Sequence, residues 1–290
     1  MNILTFDIEE WYLERHVNGN RAEKYKEYDC YLENILDLLD ERGTKATFFC
    51  LGGMAKEFPE IIRKISAKGH DIGCHSNKHV WLNKMTQEEV MEDTRSALGH
   101  LEQLLGHKIV SYRAPAFSIG QKNKWAFDIL AECGITSDAS IFPAQRDFGG
   151  FSDFGNKHPC IVDTGNNQIR EFPIQTTRLF GHEVAYSGGG YFRLFPLWFI
   201  ERELRHTDYA MLYFHIGDFL PEVNRMTTRQ EYEEYFQESG TLLNRTKRYI
   251  KSNIGKKGAY NKLVTLICNY NFVSLKEAET MVENWGTTRI

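Results

Sequence analysis

The sequence lacks the charge and hydropathy patterns of two large classes of protein. Its 290 residues carry 35 lysines and arginines against 39 aspartates and glutamates, a net charge of −4. A basic surface that would bind nucleic acid is therefore not indicated. No segment approaches the roughly 20 consecutive apolar residues that a membrane-spanning helix needs. We expect neither a nucleic-acid partner nor a membrane span.

Cysteine pairs of the C-x-x-C type are also missing. The six cysteines stand apart in apolar segments, which argues against a structural zinc knot and is typical of reduced thiols. The first strand candidate is followed at once by Asp7, Glu9 and Glu10, which leaves no room for the apolar region of a signal peptide. These features favour a cytoplasmic location.

Short apolar segments alternate with helical patterns along the chain. The strand candidates cover residues 3–7, 46–51, 71–74, 109–112, 135–137, 209–215 and 272–274. Thr86 and Glu89 form a capping-box pattern that predicts the start of a long helix. Alternating strands and helices predict one α/β domain over residues 1–290, with a mostly parallel sheet. The Gly-, Asp- and Asn-rich stretch at about 142–167 predicts a loop-rich insertion.

Chemically active side chains follow two of these strands. Asp7, Glu9 and Glu10 come at the end of the first strand, and His75 and His79 follow the third. The carboxyl ends of barrel strands commonly build active sites. Two histidines four residues apart lie on one face if their turn is helical, and they can then bind one metal ion. Zinc in hydrolases is often held by two histidines and a carboxylate.

Two further strand ends present an arginine and a histidine. Arg113 follows the strand at 109–112, where it can pair with a carboxylate. His215 ends the strongly apolar strand at 209–215 and is a candidate general acid or base, because histidine titrates near neutrality. Each is a weak signal alone, but together the four strand ends indicate a functional site.

The four segments also carry a family resemblance. TFDIEE at 5–10, HSNKH at 75–79, RAP at 113–115 and LYFH at 212–215 resemble, in order, the motifs of the polysaccharide deacetylases of the NodB-homology family. The resemblance spans about residues 1–275. It implies a distorted parallel (β/α)7-type barrel and a metal-dependent hydrolase that removes N-acetyl groups from a sugar of a polysaccharide or oligosaccharide.

A narrower resemblance involves three other segments. RAPAFS at 113–118, DASIFP at 138–143 and GGGY at 188–191 are similar to a branch of the family linked to exopolysaccharide gene clusters. An N-acetylated glycan is therefore the expected partner. Whether the protein forms a homo-oligomer stays open from the sequence.

The resemblance assigns roles to individual side chains. Glu9, His75 and His79 would hold a divalent metal, with Zn²⁺ expected. Asp7 would be the general base, with Arg113 keeping it ionised and oriented, and His215 would protonate the departing amine.

Three further positions are implied to contact the substrate. The backbone N–H of Ala116 would bind the oxyanion, and Leu212 would line the pocket for the acetyl methyl group. Tyr191 is a candidate for stacking against a sugar ring.

The chain departs from the family pattern in two places. Ile8 stands where the family usually has a metal-binding aspartate, and strand alternation favours Glu9 over Glu10 as the replacement, because Glu9 shares the face of Asp7. The family's D-x-x-x-W motif is not evident, so Asp138 or Glu171 is the candidate for orienting His215.

Two other functions fit the same residues. Relatives that hydrolyse small amides, of the allantoinase type, share the fold. A relative that binds glycans without catalysis would result if the change at Ile8 had removed the metal.

Overall fold

The computed structural model of the protein describes residues 1–144, 149–221, 225–236 and 238–290. The strands are β1 (Asn2–Ile8), β2 (Thr47–Cys50), β3 (Asp71–Cys74), β4 (Ser111–Tyr112), β5 (Ser137–Asp138), β6 (Cys160–Asp163), β7 (Gln168–Glu171), β8 (Thr176–Leu179), β9 (His182–Ala185), β10 (Ala210–His215) and β11 (Gly286–Arg289). The α-helices are α1 (Glu10–His16), α2 (Ala22–Glu41), α3 (Gly52–Glu57), α4 (Pro59–Ala67), α5 (Gln87–Leu105), α6 (Ala126–Glu132), α7 (Gly189–Leu194), α8 (Leu197–Arg205), α9 (Arg229–Phe236), α10 (Leu242–Asn253), α11 (Ala259–Asn269) and α12 (Leu275–Met281).

The main sheet has the strand order β10-β1-β2-β3-β4-β5-β7-β6-β11. All neighbours from β10 to β7 pair in parallel, which confirms the predicted α/β architecture. Only β6 runs antiparallel to β7, and β11 then pairs in parallel with β6. Because β10 and β11 lie at opposite ends of the described ladder, hydrogen bonds do not close it into a regular barrel.

Two apolar clusters occupy the two faces of this sheet. Leu4 and Phe6 belong to the larger cluster, which includes the apolar residues of the surrounding helices. Ile3 belongs to the smaller cluster, together with Met211 and Tyr213. Side chains alternate along a strand, so Asp7 continues the face of Ile3 and lies on the inner side. Burial of each large apolar side chain contributes about 1.5–3 kcal/mol.

Local signals set the ends of the long helix α5. Thr86 Oγ1 accepts a hydrogen bond from the backbone N–H of Glu89, and the Glu89 carboxylate accepts one from the N–H of Thr86, which confirms the predicted capping box. The helix ends at Gly106, whose φ of 75° is readily adopted by glycine. Helix α5 packs against α3, α4 and α6 on the outside of the sheet.

The predicted insertion at 142–167 is only partly irregular. Residues 145–148 lie outside the described part of the chain. The remaining residues up to 159 form no helix or strand, but Cys160–Asp163 forms β6 and joins β7 in an antiparallel hairpin. The end of the predicted loop is therefore part of the sheet. Among the helices described, none is long and apolar enough to cross a membrane.

Candidate active site

Parallel pairing brings the predicted residues to one edge of the sheet. Asp7 is the register partner of His215, because β1 pairs with β10. On the other side of β1 come β2, β3 and β4, so His75 and Arg113 follow strands that lie close by. The carboxyl ends of parallel strands face the same side, which is why residues more than 200 positions apart meet here.

Glu9, His75 and His79 form a compact group. Glu9 Oε2 lies 2.6 Å from His79 Nε2 and 3.3 Å from His75 Nε2. One ligand atom from each of the three residues lies within 4.8 Å of the others. Within the described residues, Glu9 Oε2 and His75 Nε2 are buried without a partner in hydrogen-bond geometry. Buried polar atoms usually have a partner, so this donor set fits a divalent metal ion.

The two histidines are held by the backbone rather than by a helical turn. His75 Nδ1 lies 2.8 Å from the carbonyl oxygen of Arg113, which directs Nε2 towards Glu9. Ser76 and His79 have φ values of 70° and 62°, so residues 75–79 do not form the turn on which the spacing argument relied. Ser76 Oγ accepts a hydrogen bond from the His79 N–H and stabilises this bent segment.

Arg113 fixes the position of Asp7 through a hydrogen bond. Its Nη1 donates to Asp7 Oδ1 and to Thr5 Oγ1, both at 2.8 Å, and its Nε donates to the carbonyl of Ala139. The guanidinium also lies 4.3 Å from the centre of the Phe49 ring. Because Arg113 is fully buried, these contacts fix the orientation of the Asp7 carboxylate.

His215 lies on the open side of the group. Its Nε2 is 3.8 Å from Asp7 Oδ2 and 3.5 Å from Glu9 Oε1, and its side chain is 33% exposed. Burial alone would lower the pKa of His215, but the charges of Glu9, Asp218 and Asp7 raise it well above its usual value. Burial raises the pKa of Glu9, yet the charges of His79 and His215 bring it well below its usual range.

The residue that orients His215 is Asp218, which the sequence interpretation missed. Asp218 Oδ2 lies 3.5 Å from His215 Nδ1 and accepts a 3.0 Å hydrogen bond from the His215 backbone N–H. Asp138 and Glu171, the earlier candidates, lie fully buried at β5 and β7 and interact with each other, so that prediction is wrong. In the sequence, the signal that could have revealed Asp218 is its position three residues after His215.

Glu10 lies beside the group but has a different partner. Its Oε1 accepts a 2.6 Å hydrogen bond from the backbone N–H of Gly217. Burial raises the pKa of Glu10 to about 7, although the charge of His215 lowers it. Strand β1 ends at Ile8, which is buried in the larger apolar cluster. Of the two glutamates, only Glu9 belongs to the group with His75 and His79 that could hold a metal ion.

The three predicted substrate residues have different surroundings. Ala116 is partly buried with a φ of 54°, a strained backbone conformation of the kind that often occurs at functional sites. Tyr191 lies on α7, partly buried, with its ring centre 6.3 Å from that of Phe142. Leu212 is fully buried in the larger apolar cluster, on the face of β10 opposite His215. This placement contradicts its predicted role, because strand alternation turns it away from the site.

Helix α9 brings a further aromatic ring to the site. The ring of Tyr235 lies nearly parallel to the His79 imidazole, with 6.0 Å between ring centres and 18° between planes. A cavity of about 100 Å³ lies beside this pair and is also lined by Lys78 and Glu234. The sequence around Tyr235 carries no motif, so only folding reveals this contact.

The comparisons with known proteins agree with the fold and with the family resemblance of the sequence. Residues 3–137 match the family model described as polysaccharide deacetylase, and residues 139–279 match a domain of unknown function, DUF3473. A crystal structure from Mycobacterium smegmatis, designated a polysaccharide deacetylase, has a TM-score of 0.64 at 18% identity and covers 100% of this chain and 92% of that one.

Two curated relatives match shorter segments. The peptidoglycan-N-acetylglucosamine deacetylase of Bacillus cereus is 35% identical over 97 residues, which are 33% of this chain and 35% of the relative. The chitooligosaccharide deacetylase of Azorhizobium caulinodans is 39% identical over 82 residues, 28% of this chain and 39% of the relative. This chain thus spans well under half of either relative.

The two matched segments share the sheet and the site. Strand β10 of the second segment pairs with β1 of the first, and it carries His215 to the side of Asp7 and Glu9. The segment of unknown function therefore supplies His215 and Asp218 to a group whose other members come from the first segment. Through residues 3–137, which match the family model, this chain contains a polysaccharide deacetylase domain, followed by the DUF3473 segment over residues 139–279.

Proposed function

We propose that this chain hydrolyses N-acetyl groups of an N-acetylated glycan with the help of a divalent metal. The observation that carries the proposal is the group of Glu9, His75 and His79, with its ligand atoms within 4.8 Å, next to the buried Asp7–Arg113 pair. A glycan-binding protein without catalysis would not need this combination. The change at Ile8 does not remove the third ligand, because Glu9 takes its place beside the histidines.

Glu9, His75 and His79 would hold the metal. Two imidazole nitrogens and a carboxylate oxygen suit zinc, which we propose as the ion. When bound, a divalent ion polarises an amide carbonyl and makes water a better nucleophile at neutral pH. The hydrogen bond between His75 Nδ1 and the Arg113 carbonyl keeps the ligand nitrogen of His75 in position.

Asp7 and His215 would move the protons. Arg113 occupies Asp7 Oδ1, so Oδ2 is the oxygen that accepts a proton from the attacking water. His215 Nε2 lies 3.8 Å from that oxygen and would give a proton to the sugar nitrogen as the C–N bond breaks. Asp218 at the Nδ1 side orients the ring for this transfer. The products are acetate and a free amino sugar.

The family and its relatives support the choice of substrate. The named relatives act on peptidoglycan N-acetylglucosamine and on chitooligosaccharides, which share an N-acetylated glucosamine unit. We propose a polymer of this class, and the DASIFP and GGGY segments favour an exopolysaccharide. The N–H of Ala116 as an oxyanion donor, Tyr191 as a sugar contact and the cytoplasmic location remain predictions.

Acetate release tests the proposal. The metal-free chain is loaded with zinc and incubated with chitotetraose, and acetate is measured over time. We expect release by the loaded protein and the loss of release in Asp7→Asn, while bound zinc remains unchanged. Ring opening of allantoin without acetate release would instead support the small-amide hydrolase. Zinc binding with neither reaction, across a panel of N-acetylated glycans, would contradict the proposal.

A further inference from the structure

A second and larger cavity lies against the residues that follow Asp218. It has a volume of about 550 Å³, within the range of pockets that bind small ligands. Its lining comes from α2, from the residues after Asp218 and from the start of α11. Since Phe219 directly follows Asp218, the cavity is joined through one peptide bond to the residue that orients His215.

The described lining of the cavity is basic, although the chain as a whole is acidic. Its described lining includes Lys256 and Lys257 and no carboxylate. The preceding helix α10 carries four basic residues and no acidic one, but none of them is among the described lining residues. Helix α11 also begins in the lining, and the N–H groups of a first helical turn favour an anion.

Lys256 contributes a buried ammonium group to the lining. It is only 9% exposed, and in the described structure its Nζ donates to the carbonyl oxygen of Pro221 at 3.3 Å. An ammonium group has three protons to donate, so a buried one with a single long carbonyl contact has capacity for further acceptors. Burial, with the charge of Arg193, lowers the pKa of Lys256 to about 8, so it is still mostly protonated at neutral pH.

The acidic groups near Lys256 already have partners. Asp218 lies beside Arg193, at 3.4 Å between Oδ1 and Nε. Glu27 pairs with Lys24 at 2.6 Å. These ion pairs reduce the field of both carboxylates at the cavity.

Aromatic rings form the apolar part of the wall. The Tyr31 and Tyr260 rings meet edge to face, with 5.6 Å between their centres, and Phe219 lies 6.2 Å from Tyr260. Aromatic faces and edges present apolar area with a polar group at the tyrosine end. Together with the exposed amide of Asn261, such a wall suits a ring that carries hydroxyl groups.

We propose that this cavity is a binding subsite for an anionic sugar residue, bearing a carboxylate or a phosphate, of the glycan that the chain deacetylates. The proposal rests on the proposed function for the identity of the glycan, but binding in the cavity does not require turnover. Lys256 and Lys257 contact the anionic group, and the aromatic wall contacts the sugar ring. The subsite selects acidic glycans over neutral ones.

Binding of three probes tests this subsite. Calorimetry on the zinc-loaded Asp7→Asn chain compares a hyaluronan tetrasaccharide, which bears carboxylates, with N-acetylglucosamine 6-phosphate and neutral chitotetraose. Lys257→Glu and Asn261→Asp change exposed side chains, so folding is preserved. Each should weaken binding of an anionic probe by roughly tenfold and that of chitotetraose far less, because the neutral probe has no charge for the new carboxylate to repel. Which anionic probe responds identifies carboxylate or phosphate.

A matched charge reversal elsewhere is the control. Lys276→Glu alters an exposed lysine on α12 and should leave all three affinities unchanged. Equal weakening by Lys276→Glu, or no preference of the unsubstituted background for either anionic probe, would overturn the subsite. If Lys257→Glu weakens anion binding while the wild type releases no acetate, the subsite stands and the deacetylase proposal fails.

Discussion

Arg113 donates hydrogen bonds of 2.8 Å from one nitrogen to both Asp7 Oδ1 and Thr5 Oγ1. The arginine is fully buried and Asp7 is 2% exposed. Water therefore cannot replace either partner if the other is removed. The pair joins the carboxyl ends of β1 and β4. It therefore serves the stability of the sheet edge as well as the orientation of the carboxylate that we propose as the general base.

Removal of Arg113 alone should be more damaging than removal of the pair. We expect Arg113→Met to lower the free energy of unfolding by about 3–5 kcal/mol, because it leaves the Asp7 carboxylate buried without its partner. The double variant Asp7→Asn, Arg113→Met should recover part of that loss. Urea denaturation of the wild type, the two single variants and the double variant measures the coupling. Additive losses would show that the pair contributes no coupling energy.

Glu9 and Glu10 should differ in their effect on metal content. Glu9→Ala removes the carboxylate beside both histidines, so zinc content after dialysis should fall and activity should be lost. Glu10→Gln keeps an acceptor for the Gly217 N–H and should retain zinc. Elemental analysis of both variants gives the answer. Zinc retained in Glu9→Ala but lost in Glu10→Gln would reverse the assignment.

His215 should affect turnover far more than substrate binding. Loss of a general acid reduces turnover by roughly 10²–10⁴-fold, and this is the loss we expect for His215→Ala. Asp218→Asn keeps an acceptor for the His215 N–H but removes the charge beside Nδ1, so a smaller loss and a shifted pH profile should follow. Steady-state kinetics on acetate release separates kcat from KM. A fully active His215→Ala variant would exclude it from the reaction.

The buried pair of Asp138 and Glu171 should make stability depend on pH. Burial raises the pKa of both carboxyl groups, and the charge of Asp138 raises that of Glu171 further, well above its usual value. A carboxyl group with a raised folded pKa binds its proton more tightly in the folded state. Its contribution to the free energy of unfolding therefore falls as pH rises from the unfolded value, about 4.3, towards the folded one.

Glu171→Gln tests this dependence. The amide imitates the protonated acid and still accepts the hydrogen bond that the Ile141 N–H donates to Oε1. We expect the free energy of unfolding of the variant to decline less than that of the wild type between pH 5 and 8, measured by urea denaturation. Glu60→Gln, at an exposed position, should follow the wild type. Parallel curves for Glu171→Gln and wild type would contradict the assigned shift.

The sequence by itself determined the sheet type and the chemical identity of most of the site. Apolar strands with polar residues at their carboxyl ends are local patterns, and parallel pairing then requires those ends to meet at one edge. Asp7, Glu9, His75, His79, Arg113 and His215 were all found in this way. The capping box at Thr86 is equally local, since both of its hydrogen bonds join residues three positions apart.

Only the tertiary structure decided which partner each of these residues has. The order of the strands places His215 beside Asp7, the bent segment at 75–79 turns both imidazoles to Glu9, and Asp218 replaces the expected Asp138 or Glu171. Leu212 faces the larger apolar cluster because the unbroken register of β1 and β10 fixes the side on which it lies. Tyr235 contacts His79 from a helix that lies about 155 residues later in the chain. Such contacts depend on the packing of distant elements, which the periodicity of a sequence does not encode.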